Sequence, residues 1–253
     1  MKIRVIPALL MKNERLIKTE KFKKYRYIGD PCNTLRIFNE LEVDELLILD
    51  ILATKEKKEP NYNLLRDIAT ECFMPLSYGG GIRSVEQARR IFNIGFEKIC
   101  INSITFDDLN TVTTLCNEFG SQAIIGSIDY KKNFWGKHEV VRECGSQFTG
   151  RDVDEWAKIL YEAGVGEILL TSVELEGSWN GYDLKTLKLV ASSIDIPVIA
   201  HGGCGKLEHI RAAVFEGNAS AVAVGSMVVY QKKEMGVLIN FPDQKKLLEQ
   251  FKI

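Results

Sequence analysis

The stretch "DELLILD" at residues 44–50 is a run of apolar Leu and Ile residues that is preceded by two acidic residues and followed by one. A second stretch, "GEILLTS" at residues 166–172, has the same form about 122 residues further along the chain. Both runs are almost continuously apolar rather than alternating, which is typical of a parallel strand buried on both faces. The two stretches therefore predict a parallel sheet covered by helices.

Short apolar runs of this kind alternate along the whole chain with longer segments of helical period. The sequence predicts eight strands, at residues 3–9, 45–51, 75–79, 98–103, 123–129, 167–173, 197–202 and 221–226. Eight βα units in about 250 residues are typical of a (βα)8, or TIM, barrel, and the count favours this fold over a doubly wound open sheet. Since no Pro-, Ser- or Gly-rich linker divides the chain, we expect one barrel domain over residues 1–253.

The two halves of the chain also carry matching glycine-rich segments, which supports a barrel with a two-fold half-barrel repeat. "YGGGI" at residues 78–82 follows the third predicted strand, and "HGGCG" at residues 201–205 follows the seventh. Chance similarity between two βα runs would also explain the match. If the repeat is real, both loops lie at the carboxyl ends of the strands, where barrel enzymes have their active sites.

Composition excludes several classes of function. The formal net charge of the 253 residues is -1, which does not favour binding to nucleic acid. The apolar run at residues 5–11 is too short to cross a bilayer, so we expect no membrane partner. The six cysteines have no CxxC spacing and suit a reducing cytoplasm, and no spacing of His, Cys, Asp or Glu indicates a metal site. We expect neither a metal nor an organic cofactor.

Glycine-rich loops at the ends of the strands are candidates for phosphate binding. Glycine allows backbone N–H groups to approach an anion, and a helix that begins just behind the loop adds a favourable dipole. Such loops contain Gly81, Gly202, Gly203 and, after the last strand, Gly225 with Ser226. Isolated glycines also make tight turns, but three such loops on one face favour a substrate with a phosphate at each end.

Polar residues end several of the predicted strands and would face the same opening. They are Asp50, Asn102, Asp129, Thr171 and Ser172. Asp129 is the best candidate for a general acid or base, because an apolar pocket raises the pKa of a carboxyl group toward the working pH. The alternative is that Asp129 caps a helix or forms an ion pair in a loop.

Charged residues begin four of the strands at the opposite ends. Arg4, Glu45, Lys98 and Glu167 supply two cations and two anions, which could form a closed ring of ion pairs at the bottom of the barrel. Charges near strand starts are also common for solubility alone, and spacing does not decide between these alternatives.

Taken together, these motifs resemble the cyclase subunit of imidazole glycerol phosphate synthase, a (βα)8 enzyme of histidine biosynthesis. The resemblance covers essentially the whole chain. It rests on "DELLILDI", "YGGGI", "CINS", "FGSQAIIGSID", "GVGEILLTS", "NGYD" and "HGGCGKLEH".

The resemblance implies a glutamine-dependent complex that contains a separate glutaminase subunit. In that family, ammonia released by the glutaminase passes through the barrel and is added to a bisphosphorylated ribulosyl aminoimidazole precursor in a cyclase-lyase reaction. By motif position, the gate to this channel falls on Arg4, Glu45, Lys98 and Glu167, and one catalytic aspartate falls on Asp129. Substrate and phosphate binding falls on Lys18, Asp50, Gly81, Asn102, Ser103, Thr171, Gly177, Ser178, Gly202, Gly203, Gly225 and Ser226.

The chain departs from the family pattern at the second catalytic aspartate, which ends the first strand in the family and is Leu10 here. Glu176, Ser178 and His201 replace the family's Asp, Thr and Ser on the same face. Leucine cannot exchange a proton, so a second hypothesis remains open: the chain conducts ammonia from a glutaminase to a sugar amidotransferase that forms acetamidino groups on surface carbohydrates. The segment 131–150 either covers the mouth or, as we expect, forms a hairpin that Phe134 and Trp135 anchor.

Overall fold

Eight parallel strands close into a barrel in the computed structural model, which describes residues 3–251. The eight barrel strands follow one another in chain order, and the parallel pairing of the last with the first closes the barrel. Helices follow the strands and cover the outside of the sheet, so the predicted (βα)8 barrel is confirmed. The predicted domain limits at residues 1 and 253 lie outside the described part, and the single domain stays a prediction.

The barrel strands agree with the eight predicted ones to within a few residues. They are β1 Arg4–Lys12, β4 Leu46–Asp50, β5 Leu76–Gly79, β6 Lys98–Ile101, β7 Ile124–Lys132, β10 Glu167–Ser172, β11 Val198–His201 and β12 Ala221–Val224. Four further strands form hairpins on the barrel: β2 Arg15–Thr19, β3 Tyr25–Gly29, β8 His138–Arg142 and β9 Gln147–Phe148.

The helices are α1 Pro31–Glu40, α2 Tyr62–Glu71, α3 Val85–Ile94, α4 Ser103–Asp107, α5 Leu109–Phe119, α6 Val153–Glu162, α7 Leu184–Ala191, α8 Leu207–Phe215, α9 Ser226–Val229 and α10 Gln244–Gln250. The longer helices are amphipathic, and α1, α2, α3, α5, α7 and α10 begin at a residue whose side chain caps the helix. In α3, the Ser84 side chain accepts a hydrogen bond from the Gln87 N–H, and Gly95 ends the helix in the left-handed conformation, as their spacing predicts. Within residues 3–251, no helix is long and apolar enough to span a membrane.

Side chains of the barrel strands alternate between two separate cores. The larger core lies between the sheet and the helices. The smaller one fills the interior of the barrel and consists of Ile6, Ala8, Leu47, Cys100, Ile125, Leu169, Ile199, Ala221 and Ala223, with Leu49 against it. Because successive side chains of a strand point to opposite faces, every second residue of these strands reaches the interior.

The repeat of the two halves is visible in the backbone of the glycine-rich turns. Gly80 after β5 and Gly202 after β11 both have positive φ angles, 128° and 91°. A Cβ atom would lie 2.5 Å from the carbonyl oxygen of Asp50 at Gly80, and 2.6 Å from that of Ser172 at Gly202. Asp50 and Ser172 end equivalent strands, so the same close approach requires glycine in both halves.

The segment 131–150 forms a hairpin, but its aromatic residues do not anchor it. Phe134 and Trp135 lie at the tip, and 95% and 85% of their surfaces are exposed, so the predicted anchoring role is wrong. Polar contacts hold the hairpin instead: His138 Nδ1 lies 2.7 Å from the Thr186 hydroxyl, and the Asn133 side chain accepts N–H groups of the tip. Only the strand residues, such as Val140, contribute apolar burial.

The interior core predicts the effect of a truncation. Leu169→Ala removes a fully buried side chain from the interior of the barrel, and we expect the free energy of unfolding to fall by about 2–5 kcal/mol. Leu189→Ala, on α7, is the control, because 53% of Leu189 is exposed and its loss changes stability by about 0.5 kcal/mol or less. Urea unfolding measures the loss of stability in both variants. Equal losses would contradict the assignment of Leu169 to the interior core.

Candidate active site at the mouth of the barrel

A cavity of about 270 Å³ opens at the carboxyl ends of the barrel strands. Its lining comes from the ends of the barrel strands, from βα loops and from both hairpin segments, and includes polar and apolar side chains. The lining residues are Leu10, Thr19, Phe22, Leu49, Asp50, Ile51, Thr54, Lys55, Lys57, Gly79, Gly80, Gly81, Ile82, Cys100, Ile101, Asn102, Ser103, Ser127, Asp129, Glu143, Cys144, Thr171 and His201. The position is the one that the sequence predicts for the active face.

Asp129 lies at the floor of this cavity, on β7. Its Oδ2 atom accepts a hydrogen bond of 3.0 Å from the Asn102 amide, and the Thr171 hydroxyl also hydrogen-bonds the carboxyl group. Burial raises the pKa of Asp129 to about 7, because the charged form loses its hydration, while the two hydrogen bonds oppose this shift. A carboxyl group that titrates near neutral pH can both accept and donate a proton.

His201 lies beside Thr171 at the end of the neighbouring strand β11. Its Nδ1 atom is 3.1 Å from the Thr171 hydroxyl oxygen, and only 8% of the residue is exposed. Burial lowers the pKa of His201 to about 3, with a further lowering from the charge of Lys18, so the imidazole is neutral at physiological pH. Sequence reasoning identified His201 as a departure from the family pattern but did not predict its contact with Thr171.

Leu10, where the resemblance predicts the family's second aspartate, lies on β1. It pairs in register with Leu49 of β4 and lines the cavity with 5% of its surface exposed. Asp50, the nearest strand-end carboxylate in sequence, does not replace it directly: its Oδ1 atom accepts the N–H groups of Leu52 and Ala53 and so holds the following turn. The first strand itself therefore contributes an apolar side chain at this position of the cavity.

Lys18 forms a buried ion pair with Glu176. The Glu176 carboxylate also accepts the Thr19 hydroxyl at 3.0 Å and the Phe22 N–H at 3.2 Å. Burial lowers the pKa of Lys18 to about 7, and the negative charge of Glu20 opposes this shift. This ion pair connects the hairpin of β2 and β3 to the loop after β10. The sequence analysis did not predict the hairpin and therefore could not predict the ion pair.

The predicted phosphate-binding residues fall into two groups. Gly81, Asn102 and Ser103 line the cavity on the side of β5 and β6, together with Asp50 and Thr171. The other group lies around the ends of β10, β11 and β12, outside the cavity lining, and consists of Lys18, Gly177, Ser178, Gly202, Gly203, Gly225 and Ser226. Within this group the Lys18 side chain packs against Gly225, where a Cβ atom would lie 2.9 Å from its Cε atom.

Ser172 does not face the mouth, although its place at a strand end predicts this. Thr171 points into the barrel, so the next residue points outward, and Ser172 hydrogen-bonds the buried Tyr130 side chain. Other cavity residues had no sequence signal: Phe22 and Cys144 belong to the hairpin segments after β1 and β7. Among residues 3–251, no three His, Cys, Asp or Glu side chains are grouped so as to hold a metal ion.

A ring of ion pairs closes the opposite end of the barrel. Arg4 contacts Glu45 at 2.8 Å and Glu167 at 3.1 Å. Lys98 contacts Glu167 at 3.0 Å and Glu45 at 3.4 Å. The charges alternate in sign around the ring, and the Ser77 hydroxyl also donates to Glu45.

The fold and the site define a (βα)8-barrel protein with its cavity at the carboxyl ends of the strands. The family described as "Histidine biosynthesis protein" matches residues 4–234, and the chain belongs to this family.

Similarity to named relatives extends over nearly the whole chain. It is 48% identical to "Putative imidazole glycerol phosphate synthase subunit hisF2" of Pseudomonas aeruginosa, over 96% of this chain and 97% of the relative. Identity is 41% to "Putative imidazole glycerol phosphate synthase subunit HisF" of Leptospira interrogans, over 97% of both chains. It is 36% to "Imidazole glycerol phosphate synthase subunit HisF" of Alkaliphilus metalliredigens, over 90% of this chain and 91% of the relative.

The raised pKa of Asp129 predicts how stability depends on pH. The carboxyl group titrates near 7 in the folded chain and at its ordinary value of 3.8 when unfolded. Between these values the folded chain keeps a proton that the unfolded chain has released, so the free energy of unfolding falls as pH rises, by up to about 1.4 kcal/mol per pH unit.

Asp129→Asn removes this contribution. We expect the variant to lose the corresponding slope between pH 5 and pH 7 and to be more stable than the native chain at pH 8. Urea unfolding at one-unit pH intervals measures the free energy of unfolding of both chains. The difference between the two values at each pH removes the contribution of all other titrating groups. Parallel curves for the two chains contradict the raised pKa.

Proposed function

We propose that this chain is the synthase subunit of a glutamine-dependent amidotransferase complex. In this proposal a glutaminase binds at the ring of ion pairs, and its ammonia passes through the barrel to the mouth. There it is added to a phosphorylated substrate in a cyclase-lyase reaction of the imidazole glycerol phosphate synthase type. The six free cysteines fit our proposal that the complex works in a reducing cytoplasm.

The observation that carries the proposal is the closed ring at the end of the barrel opposite the cavity. Glu45 and Glu167 have only 6% and 11% of their side-chain surfaces exposed, while 27% of Arg4 is exposed. Buried charges are costly unless they are paired, and replacing such a ring with apolar residues would often be neutral or stabilising. A ring of this kind is therefore better explained by a role in admitting a polar molecule than by stability alone.

The interior beyond the ring suits neutral ammonia. It is lined by the small and aliphatic side chains of the interior core, including Ala8, Ala221 and Ala223. An ammonium ion would lose its hydration in such surroundings without finding a counter-ion, whereas neutral ammonia would lose much less. The apolar lining therefore favours passage of the form that can act as a nucleophile.

At the mouth, Asp129 is the group that would exchange protons with the substrate. The two groups of predicted phosphate-binding residues flank it, on the sides of β5 and β6 and of β10 to β12, which suits a substrate with phosphates at both ends. This part of the proposal rests on the family and on the glycine-rich turns at Gly80 and Gly202. The names of the relatives support the choice of reaction type.

Leu10 favours a second candidate function. If no group replaces the aspartate of the first strand, the barrel conducts ammonia to another enzyme, a sugar amidotransferase that forms acetamidino groups, and Leu10 is part of the apolar lining. The two candidates share the glutaminase and the channel. They differ in whether covalent chemistry occurs at the mouth.

Turnover of the bisphosphorylated ribulosyl aminoimidazole precursor with an ammonium salt separates the two candidates. We expect the native chain to form product and Leu10→Asp to change kcat by less than about tenfold. A positioned acid–base group raises the rate about 10²–10⁴-fold, but this gain is expected only if the site has no other group for the same proton transfer. Leu10→Asn is the control for the polar side chain without the acid. A silent native chain with activity gained in Leu10→Asp, but not in Leu10→Asn, would instead support the conducting role.

The docking of the glutaminase predicts a role for Phe73, an aromatic residue with 91% of its surface exposed. It lies beside the amino end of β5, and the neighbouring Pro75 carbonyl accepts the Leu46 N–H next to the ring. Its own N–H donates to the Asn39 side chain at 3.1 Å, which fixes the loop that presents it. Rigid, exposed aromatic residues of this kind commonly dominate binding energy at interfaces.

We expect Phe73→Ala to weaken binding to a glutaminase subunit of the imidazole glycerol phosphate synthase type about tenfold or more. Phe134→Ala, at the hairpin tip on the opposite face, removes an equally exposed ring and should leave the affinity unchanged. Titration calorimetry measures both dissociation constants. Equal losses for both variants, or none for Phe73→Ala, contradict docking at this face.

A further inference from the structure

Asp129, Thr171 and His201 lie in one row across three neighbouring barrel strands. Thr171 of β10 pairs in register with Asp129 of β7 on one side and with His201 of β11 on the other. All three side chains line the cavity. The row therefore runs across β7, β10 and β11. Only β12 separates β11 from β1, the strand that carries Leu10.

The Thr171 hydroxyl has one proton and two acceptors for it. It hydrogen-bonds the Asp129 carboxyl group, and its oxygen lies 3.1 Å from His201 Nδ1. When Asp129 is ionised, the hydroxyl donates to the carboxylate and accepts from Nδ1–H, which leaves Nε2 without a proton. When Asp129 is protonated, the carboxyl group donates to Thr171, the hydroxyl donates to Nδ1, and the proton of the ring is on Nε2.

His201 Nε2 is the free end of this row. It forms no hydrogen bond with any described residue, and it is not among the buried polar atoms without a partner. Since His201 lines the cavity, Nε2 is available to a molecule that binds there. Asn102 holds the other end of the row through Asp129 Oδ2, so the carboxyl group cannot turn away.

We propose that Asp129, Thr171 and His201 form a proton relay, in which ionisation of Asp129 sets the tautomer of His201 and His201 Nε2 performs the proton transfer for which Leu10 has no group. The role of the relay in catalysis rests on the proposed function; the coupling of ionisation and tautomer does not.

The relay supplies a balanced addition of ammonia to a substrate carbonyl group. As the ammonia nitrogen bonds to the carbonyl carbon, the electron pair of the C=O π bond moves to oxygen, which takes the proton of Nε2. Nδ1 takes the Thr171 proton, and Thr171 takes that of Asp129, which becomes a carboxylate. Nε2 then removes a proton from the new ammonium nitrogen, and the reverse transfer returns a proton to Asp129, so that all three groups are restored.

The surroundings allow the row to titrate near neutral pH. The pKa of Asp129 is raised to about 7 and that of His201 is lowered, so the pair shares one proton rather than carrying two charges. Other titratable groups face the row from β2, from the β4 loop, from β6 and from the hairpin of β7 and β8. They are Lys18, Asp50, Lys55, Lys57, Cys100, Glu143 and Cys144.

The test is the tautomer of His201 as a function of pH, followed by long-range 1H–15N NMR of the chain labelled with 15N-histidine. We expect Nε2 to carry the proton below the transition of Asp129 and Nδ1 to carry it above. Asp129→Asn and Thr171→Val should each abolish the transition. His201→Asn assigns the signals, and His209 is the internal control because its Nδ1 accepts the Gly205 N–H at 3.1 Å, away from the row.

A His201 tautomer that stays constant from pH 5 to pH 9, or that still changes in Asp129→Asn, overturns the relay. Its catalytic role is tested separately: His201→Asn should lower kcat for ammonia-dependent turnover about 10²–10⁴-fold with little change in KM, and Thr171→Val should lower kcat to a similar extent. A native chain that shows the coupled tautomer but forms no product would refute the proposed cyclase activity and leave the relay standing. Product formation without coupling, or undiminished kcat in His201→Asn, would refute the relay and leave the proposed function standing.

Discussion

Closure of the sheet by the pairing of β1 with β12 is the constraint on which the rest of the structure depends. In a closed barrel each strand has one face inside and one outside, and the period of two then assigns every residue to the interior or to the helices. Along β10, this rule places Glu167 in the ring, Leu169 in the interior core and Thr171 in the cavity, while Ser172 packs outward. One strand thus contributes to all three levels of the barrel.

The charged groups inside the barrel are confined to its two ends, and each is satisfied differently. At the bottom, Arg4, Glu45, Lys98 and Glu167 neutralise one another in a ring, so the entrance carries no net charge. Near the mouth, Lys18 and Glu176 pair directly. Asp129 differs from these because its partners, Asn102 and Thr171, are neutral, and only such a carboxyl group can have its pKa raised toward neutrality by burial.

The resemblance predicts acid–base groups on two opposite sides of the mouth, and in our proposal Asp129 is the one that this chain retains. Leu10 contributes an apolar side chain from the first strand, while His201 adds a neutral imidazole two strands away. A neutral histidine adds a group that exchanges protons but carries no charge. A second buried carboxylate beside Asp129 would add a negative charge, and the repulsion between the two carboxylates would be costly. The substitutions at the mouth are therefore consistent with a rearranged proton path rather than with simple loss of a residue.

Much of the barrel and of the site was predictable, because the relevant signals are local. Continuous apolar runs such as "ELLILD" indicate buried parallel strands, and the end of a strand identifies Asp129, Asn102 and Thr171 as residues of one face. The first hairpin was missed because β2 and β3 have mixed polar and apolar sequences whose pairing depends on β1, the strand that they extend. The second hairpin was expected, but its anchoring residues were not identified correctly. The exposed positions of Phe134 and Trp135 could not be read from their apolar character.

What the sequence determined by itself was the type of element and the end of the strand at which each polar residue lies, since both follow from nearest-neighbour patterns. Only the tertiary structure decided which of those residues touch. Lys18 meets Glu176 across 158 positions of the chain, and His201 meets Thr171 across 30. These contacts depend on the register in which distant strands pair, and register is set by closure of the whole barrel rather than by any single segment.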